Sequence, residues 1–212
     1  MPQKSIRSFL LCLVFGFAAI ASAEEETNPG YEKLATPQPV EDPNKVEVIE
    51  FFWYGCPHCY SFEPLLSKWE KSMPEHVNFI RQPAIFSALW GKHAKAYFTA
   101  EALGVVDKVH ADFFDAIQNK KQKLETEDQL AKFFTAHGVA ESKFHDAYNS
   151  FLVDTKMRQA KMMGPRYGIT GVPAVVVNGK YKITGRLAGS HQKMIEVMNK
   201  LIEQEKAKLP QK

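Results

Sequence analysis

Two cysteines two residues apart, Cys56 and Cys59, are the side chains best suited to chemistry in this 212-residue chain. They frame the tetrapeptide Cys56-Pro57-His58-Cys59, which follows an apolar stretch and opens a helical pattern. At a helix start, unpaired backbone N–H groups and the helix dipole favour an anion and lower the pKa of a cysteine. Because thiolates attack disulfides, the spacing predicts a redox pair in which Cys56 reacts first and Cys59 resolves.

His58 bears on the direction of the reaction. Its imidazole can donate hydrogen bonds, and positive charge when protonated, toward the sulfur of Cys56. Each unit of pKa depression is worth about 1.4 kcal/mol in favour of the thiolate. Stabilising the thiolate stabilises the dithiol relative to the disulfide, so such a protein gives its disulfide away. The tetrapeptide therefore predicts a disulfide donor.

Three other interpretations of these residues remain open. The first is a structural disulfide between Cys56 and Cys59, but so short a loop gains only about 2 kcal/mol, against nearly 5 for a long one. The second is half of a zinc site, although no second cysteine pair or characteristic histidine spacing accompanies these residues. In the third, His58 is an incidental surface residue. We expect a catalytic pair and no metal.

The first 23 residues have the layout of a secretory signal peptide. Lys4 and Arg7 precede an apolar run over residues 9–21, and Ala21-Ser22-Ala23 is a small-x-small cleavage site. The apolar run is shorter than the ~20 residues that span a bilayer. We therefore expect cleavage after Ala23 and export to an oxidising compartment.

Composition excludes several classes of protein. The apolar share of 45% and charged share of 24% are ordinary for a soluble globular protein. The formal net charge of +3 falls to +1 without Lys4 and Arg7, which argues against nucleic-acid binding. Loss of residues 1–23 also removes Cys12, which leaves Cys56 and Cys59 alone. A mature chain of this length can bury a core without disulfide staples.

The residues around the dithiol predict a right-handed parallel βαβ unit. An extended arm, residues 24–45, precedes strands at 46–53 and 77–84. The helix between them begins at Pro57, where proline is welcome, and Pro64 should kink it or end its first part.

The remainder predicts a block of helices followed by a hairpin and a last helix. Residues 86–167 carry no strand signal, and Thr126 with Gln129 forms a capping-box pattern. Asn178-Gly179 indicates a hairpin turn, and Ser190 an N-cap. The predicted helices lie near 88–103, 105–119, 127–137 and 141–163, and the predicted hairpin strands at 174–177 and 181–184.

Two further features are candidates for the site. Val172-Pro173 stands directly before a predicted central strand, where proline is costly unless it has a role. Glu50 is an acid in a strand of buried residue types, and Arg81 on the neighbouring strand is a possible partner. Glu50 is either a proton acceptor near the dithiol or a half-exposed strand residue.

Taken together, these residues resemble the DsbA family of periplasmic thiol:disulfide interchange proteins. The resemblance spans most of the mature chain and implies an α/β, thioredoxin-like fold with an inserted all-helical subdomain. It implies a first part over residues 24–85, a helical insertion over 86–167 and a second part over 168–212. The segments that carry it are Glu50-Phe51-Phe52, Cys56-Pro57-His58-Cys59-Tyr60, the region Asp146 to Phe151, Gly171-Val172-Pro173-Ala174 and Val177-Asn178-Gly179-Lys180-Tyr181.

The resemblance also implies roles. Cys56 would be the exposed nucleophile, Val172-Pro173 a cis-proline loop that binds substrate, and Glu50 the buried acid. Family members often carry lysine where Arg81 stands, and some carry a bulkier residue in place of Gly55. No cofactor is implied. The implied partners are reduced exported proteins and an inner-membrane, quinone-linked DsbB that reoxidises a monomeric protein in the periplasm.

Two other functions fit the same residues. A disulfide isomerase or reductase would share the fold, but such relatives usually dimerise through an N-terminal domain. Only about 22 residues separate the predicted cleavage site from the first predicted strand, which is too few for one. A periplasmic metal carrier using Cys56, Cys59 and His58 is the non-enzymatic alternative. We expect an oxidase.

Overall fold

The structure is a computed structural model, and it describes residues 29–210. The predicted signal peptide, with Cys12, lies outside the described residues, so cleavage after Ala23 stays a prediction. Among the helices of residues 29–210, none combines the length and apolar character that a membrane crossing requires.

A five-stranded mixed sheet carries the chain to the dithiol. The strand that precedes the dithiol, β2 (Val46–Phe52), is parallel to one neighbour and antiparallel to the other. All seven residues of β2 are buried, as expected of a strand with both faces covered. In spatial order the strands are β1 (Glu32–Lys33), β5 (Tyr181–Thr184), β4 (Ala174–Val177), β2 (Val46–Phe52) and β3 (Val77–Pro83).

The described residues form eight helices, two of which flank the sheet beside the dithiol. α1 follows β2 directly and packs against α8, the last helix. Phe62 and Leu66 of α1 share a core with Val48 of β2 and Met198 of α8. The helices are α1 (Pro57–Glu70), α2 (Ala88–Ala102), α3 (Val106–Gln118), α4 (Glu127–Ala136), α5 (Glu141–Tyr148), α6 (Phe151–Arg166), α7 (Gly185–Ala188) and α8 (His191–Lys206).

Helices α2 to α6 form a block with an aromatic core of its own. Phe113, Phe134 and Phe144 are almost wholly buried in it. Phe52 and Tyr54, at the end of β2, belong to the same cluster. The helical block is therefore packed onto the segment that leads into Cys56, which fixes that segment from one side.

Most of the predicted elements are confirmed. The two strands of the predicted βαβ unit pair in parallel, and both predicted hairpin strands have the expected bounds. Asn178 and Gly179 both have positive φ, at 51° and 61°, as a tight hairpin turn requires. The capping box at Thr126 and the N-cap at Ser190 are present. Residues 86–167, all of them described, contain no strand, whereas the predicted domain boundaries themselves stay a prediction.

Some predicted elements are wrong. The single helix predicted over 141–163 is two helices, because Ser150 accepts a hydrogen bond from Val153 N and starts a new one. Pro64 does not end the helix, because α1 continues to Glu70, and a kink at Pro64 stays a prediction. The sequence analysis also missed β1 and α7, whose two and four residues are too short to produce a periodic pattern.

Candidate active site

The backbone places Cys56 immediately before the first residue of α1. The chain leaves β2, turns through Trp53 to Gly55 and reaches Cys56 as the N-cap, in an extended conformation. Pro57 occupies the first helical turn, where its missing N–H has no helical partner to lose. Cys59 N donates to the sulfur of Cys56 at 3.4 Å. Both cysteines are free thiols, so the structure shows the dithiol form of the pair.

The two sulfurs differ in accessibility. Cys56 retains 8% of its surface and Cys59 none. The expected order is therefore present, but Cys56 is less exposed than the resemblance implied. The reason is the loop at Val172. The carbonyl oxygen of Val172 accepts a hydrogen bond from the Cys56 thiol at 3.4 Å and covers the sulfur.

The pKa values of the two thiols move in opposite directions. A hydrogen bond from the Cys59 thiol is the largest cause that favours the Cys56 thiolate, and burial opposes it. The backbone N–H groups of Cys59 and His58 and the charge of the His58 imidazole add to it, and the pKa of Cys56 falls to about 6. Burial, with the hydrogen bond and charge of Cys56, raises the pKa of Cys59 far above its ordinary range. At neutral pH the pair thus holds one thiolate, on Cys56.

His58 acts on Cys56 more through its backbone than through its ring. Its N–H group contributes ahead of its imidazole charge. The ring is exposed and lies 6.3 Å, between centroids, from that of His191 at the start of α8. His58 therefore lowers the pKa of Cys56, as predicted, but its imidazole contributes less to this than its backbone N–H group.

Val172 and Pro173 lie beside the dithiol, as predicted. The peptide bond between them is cis. Both line a groove of about 590 Å³ that also reaches His58 and His191. The groove gives an extended client segment room next to Cys56, with backbone groups of the loop at its wall.

Glu50 is wholly buried, so the half-exposed interpretation is wrong. It pairs in register with Arg81 across the two parallel strands, and Arg81 Nε lies 3.7 Å from Glu50 Oε2. Burial raises the pKa of Glu50 to about 8, the charge of Glu63 adds to this, and Arg81 offsets part of it. When Glu50 is ionised, its charge is the smallest of the contributions that raise the pKa of Cys59.

Sequence reasoning missed a buried polar group beneath the site. Glu63 lies 3.1 Å from Arg81 and 3.4 Å from His110 Nε2, and the other ring nitrogen of His110 is 2.7 Å from the Tyr54 hydroxyl. The sequence does contain a signal for this buried group. Glu63 falls on the apolar face of α1 with Cys59 and Phe62, where an acid needs a partner.

The loop before Cys56 is held by a second missed contact. The indole of Trp53 stacks on that of Trp90 at 4.3 Å between centroids and donates to His93 Nδ1 at 3.0 Å. A Cβ atom at Gly55 would lie 2.2 Å from the Trp53 ring. The glycine is therefore required by the indole that packs over it.

The residues described offer no metal centre. Within residues 29–210, no three histidine, cysteine, aspartate or glutamate side chains are grouped as a metal site requires.

Comparison with known proteins gives consistent results. A family model described as a DSBA-like thioredoxin domain matches residues 80–192. The chain is 40% identical over 206 residues to the thiol:disulfide interchange protein DsbA of Pseudomonas aeruginosa, covering 97% of this chain and 98% of the relative. It is 43% identical over 189 residues to the protein of that name from Azotobacter vinelandii, covering 89% and 88%.

The fold agrees as well. The crystal structure of Pseudomonas aeruginosa DsbA superposes with a TM-score of 0.81 at 42% identity, covering 84% of this chain and 93% of that one. The described residues thus form a mixed α/β, thioredoxin-like domain with eight helices and a five-stranded sheet. Carrying Cys56 at a helix start and a cis-proline groove beside it, the chain belongs to the DsbA family and is a thiol:disulfide oxidoreductase.

Proposed function

We propose that this protein is a disulfide oxidase that donates its Cys56–Cys59 disulfide to reduced, newly exported proteins. The observation that carries the proposal is the asymmetry of the two sulfurs. Cys56 is partly accessible and its pKa is about 6, whereas Cys59 is fully buried with a raised pKa. The pair therefore has one sulfur that clients can reach and one that acts only within the protein.

The reaction consists of two thiol–disulfide exchanges. A client thiolate attacks Cys56 Sγ of the oxidised pair, the Cys56–Cys59 bond breaks, and Cys59 leaves with the electron pair. A second client thiolate then attacks the client sulfur of the mixed disulfide, and Cys56 leaves as a thiolate. The client has lost two electrons and formed one disulfide, and the protein has become the dithiol.

The buried acid suits the first of these steps. Cys59 leaves into a site without solvent access, where its raised pKa favours the thiol. A proton must therefore reach it, and Glu50, with a pKa of about 8, carries one at neutral pH. Arg81 keeps its charge at all working pH values, so we assign the proton to Glu50 and a positioning role to Arg81.

The acidity of Cys56 sets the sign of the redox equilibrium. A thiol whose pKa falls from ~9 to about 6 stabilises the dithiol by ~1.4 kcal/mol at pH 7. For a two-electron couple this is ~30 mV in the oxidising direction. The shift favours donation over reduction or isomerisation.

The place of action and the reoxidant belong to the same proposal. The predicted signal peptide supports export to the periplasm, and relatives carry the name thiol:disulfide interchange protein. We propose a monomer that is reoxidised by a DsbB-type, quinone-linked membrane protein, because the dithiol left by each cycle needs an electron acceptor.

Equilibration with glutathione tests the oxidase assignment. We expect the Cys56–Cys59 pair to be oxidising relative to cytosolic thioredoxin, whose potential is about −270 mV. A potential at or below that value would contradict the proposal. Efficient rescue of a scrambled substrate without added oxidant would favour the isomerase alternative.

A further inference from the structure

The groove beside the dithiol carries a cation that disulfide exchange does not use. Arg186 of α7 is exposed and lines the same groove as His58, Val172 and Pro173. Within residues 29–210, no hydrogen bond or ion pair engages its guanidinium group. The side chain is therefore available to a bound client.

Apart from the exposed imidazole of His58, the other charged groups of the groove are already paired. Glu32 is the one carboxylate among the residues that line it, and it lies 2.7 Å from Lys182 Nζ. The same ammonium group donates to Gly168 O at 2.6 Å. His191 also lines the groove, and its Nδ1 lies 3.4 Å from Ser61 Oγ. Arg186 thus leaves the groove with an uncompensated positive charge.

We propose that Arg186 is a specificity-determining residue and that the groove prefers client segments with an aspartate or glutamate near the reacting cysteine. This inference rests on the proposed function, since it concerns which clients are oxidised faster. A guanidinium fork can accept a carboxylate in a two-point contact, and it repels a lysine at the same place. Because an exposed ion pair is weak, the expected preference is about two- to five-fold in rate.

Single-turnover oxidation of model peptides tests the inference. Each peptide carries the same two cysteines and one variable residue, glutamate, glutamine or lysine, placed at successive positions on either side of the first cysteine. The full-length oxidised protein is mixed with excess peptide, and the loss of peptide thiols is followed. We expect the glutamate peptide to react about two to five times faster than the lysine peptide at low salt at one or more positions. The preference should fade at 1 M salt, where exposed charges are screened.

Three variants should change the ratio of the glutamate-peptide rate to the lysine-peptide rate, each in a different way. Arg186→Gln should bring the glutamate-to-lysine ratio close to one, and Arg186→Glu should invert it. Glu32→Gln should raise the ratio above that of the wild type, because it releases the ammonium of Lys182 into the groove. Lys200→Gln, on an exposed part of α8 outside the groove, removes the same charge and should leave the ratio unchanged.

The role of Arg186 and the oxidase assignment fail on different outcomes. Equal rates for all peptides at every position, or a preference that survives Arg186→Gln, would overturn the role of Arg186 while leaving the oxidase assignment intact. A wild-type protein that oxidises none of the peptides would defeat the oxidase assignment, and the inference with it.

Discussion

At the scale of single residues, the acidity of Cys56 comes mainly from its own partner. The Cys59 thiol contributes most, ahead of the backbone N–H groups of Cys59 and His58 and the imidazole charge. The intervening histidine is thus an adjustment to a geometry that the helix start already provides. This ranking predicts that substitutions of Cys59 and His58 change the pKa of Cys56 by different amounts.

We expect Cys59→Ala to raise the pKa of Cys56 from about 6 by more than His58→Ala does. Cys59→Ala removes the largest stabilising contact, whereas His58→Ala keeps the backbone N–H and removes only the ring. Titration of thiolate absorbance in the reduced proteins measures both values, and Cys56→Ala provides the baseline. A larger shift for His58→Ala would show that the imidazole dominates. No shift for His58→Ala would refute its role.

The buried acid gives a second prediction at this scale. The pKa of Glu50 is about 8 in the folded protein, above its ordinary value. Stability from this group is complete below the unfolded pKa and is lost as pH rises through 8. Glu50→Gln should therefore be more stable than the wild type at pH 8, by on the order of 2–4 kcal/mol, and similar to it near pH 4.5.

Chemical unfolding at several pH values measures this difference. Glu70→Gln serves as the control, because Glu70 contacts the same Arg81 at 2.6 Å but is more than one-third exposed. We expect no comparable gain there. If Glu50→Gln were no more stable than the wild type at pH 8, Glu50 would be ionised in the folded protein and its proposed role as proton donor would fail.

At the scale of elements, the loop before the dithiol is set by aromatic packing. Trp53 lies between Gly55 and Trp90 and is hydrogen-bonded to His93. The space that a side chain at position 55 would occupy is filled by the indole. A bulkier residue at position 55 requires a different position of Trp53.

Gly55→Ala should consequently destabilise the protein by about 1–3 kcal/mol, since the new methyl group meets the Trp53 ring at 2.2 Å. Gly91→Ala is the matched control. Gly91 lies inside α2, and a Cβ atom there meets only ordinary contacts at 3.8 and 3.9 Å. It should stabilise by up to about 1 kcal/mol, because alanine favours a helix. Denaturant titrations give both values, and equal effects would contradict the packing argument.

The elements also show which features could be predicted from the sequence. The strand before Cys56, the helix after it and the hairpin at Asn178 have strong local patterns, and all are present. The helix break at Ser150 was missed because an apolar periodicity continues across it, although an Asn-Ser pair marks the N-cap. The strand β1 exists only through pairing with β5, which no local pattern reveals.

In the candidate site, too, residues within local motifs could be predicted, and contacts between distant residues could not. Cys56, Cys59 and the Val172–Pro173 loop were found from the motifs. The partial burial of Cys56, the packing of Trp53 and the contact between Glu63 and His110 depend on residues distant in sequence. A side chain on an apolar helix face indicates that a partner exists, but only the fold identifies it.

At the scale of the whole molecule, the site couples redox state to stability. The oxidised protein has no Cys56 thiol to ionise, whereas the reduced protein holds a thiolate favoured by the fold. The folded pKa of about 6 lies below the unfolded value, so this stability is complete above the unfolded pKa and is lost as pH falls through 6. The reduced form should therefore gain on the oxidised form as pH rises.

Between pH 5 and pH 8 we expect the unfolding free energy of the reduced protein to rise by about 2.5 kcal/mol relative to the oxidised protein. Glu50 is present in both forms, so any titration that the two forms share cancels from the difference. Denaturant unfolding of both forms across this range measures it, and Cys56→Ala, compared with the oxidised protein, should lack the rise. A difference that stays flat from pH 5 to pH 8 would mean that the folded protein does not favour the thiolate. The disulfide would then not be driven toward clients by this sulfur.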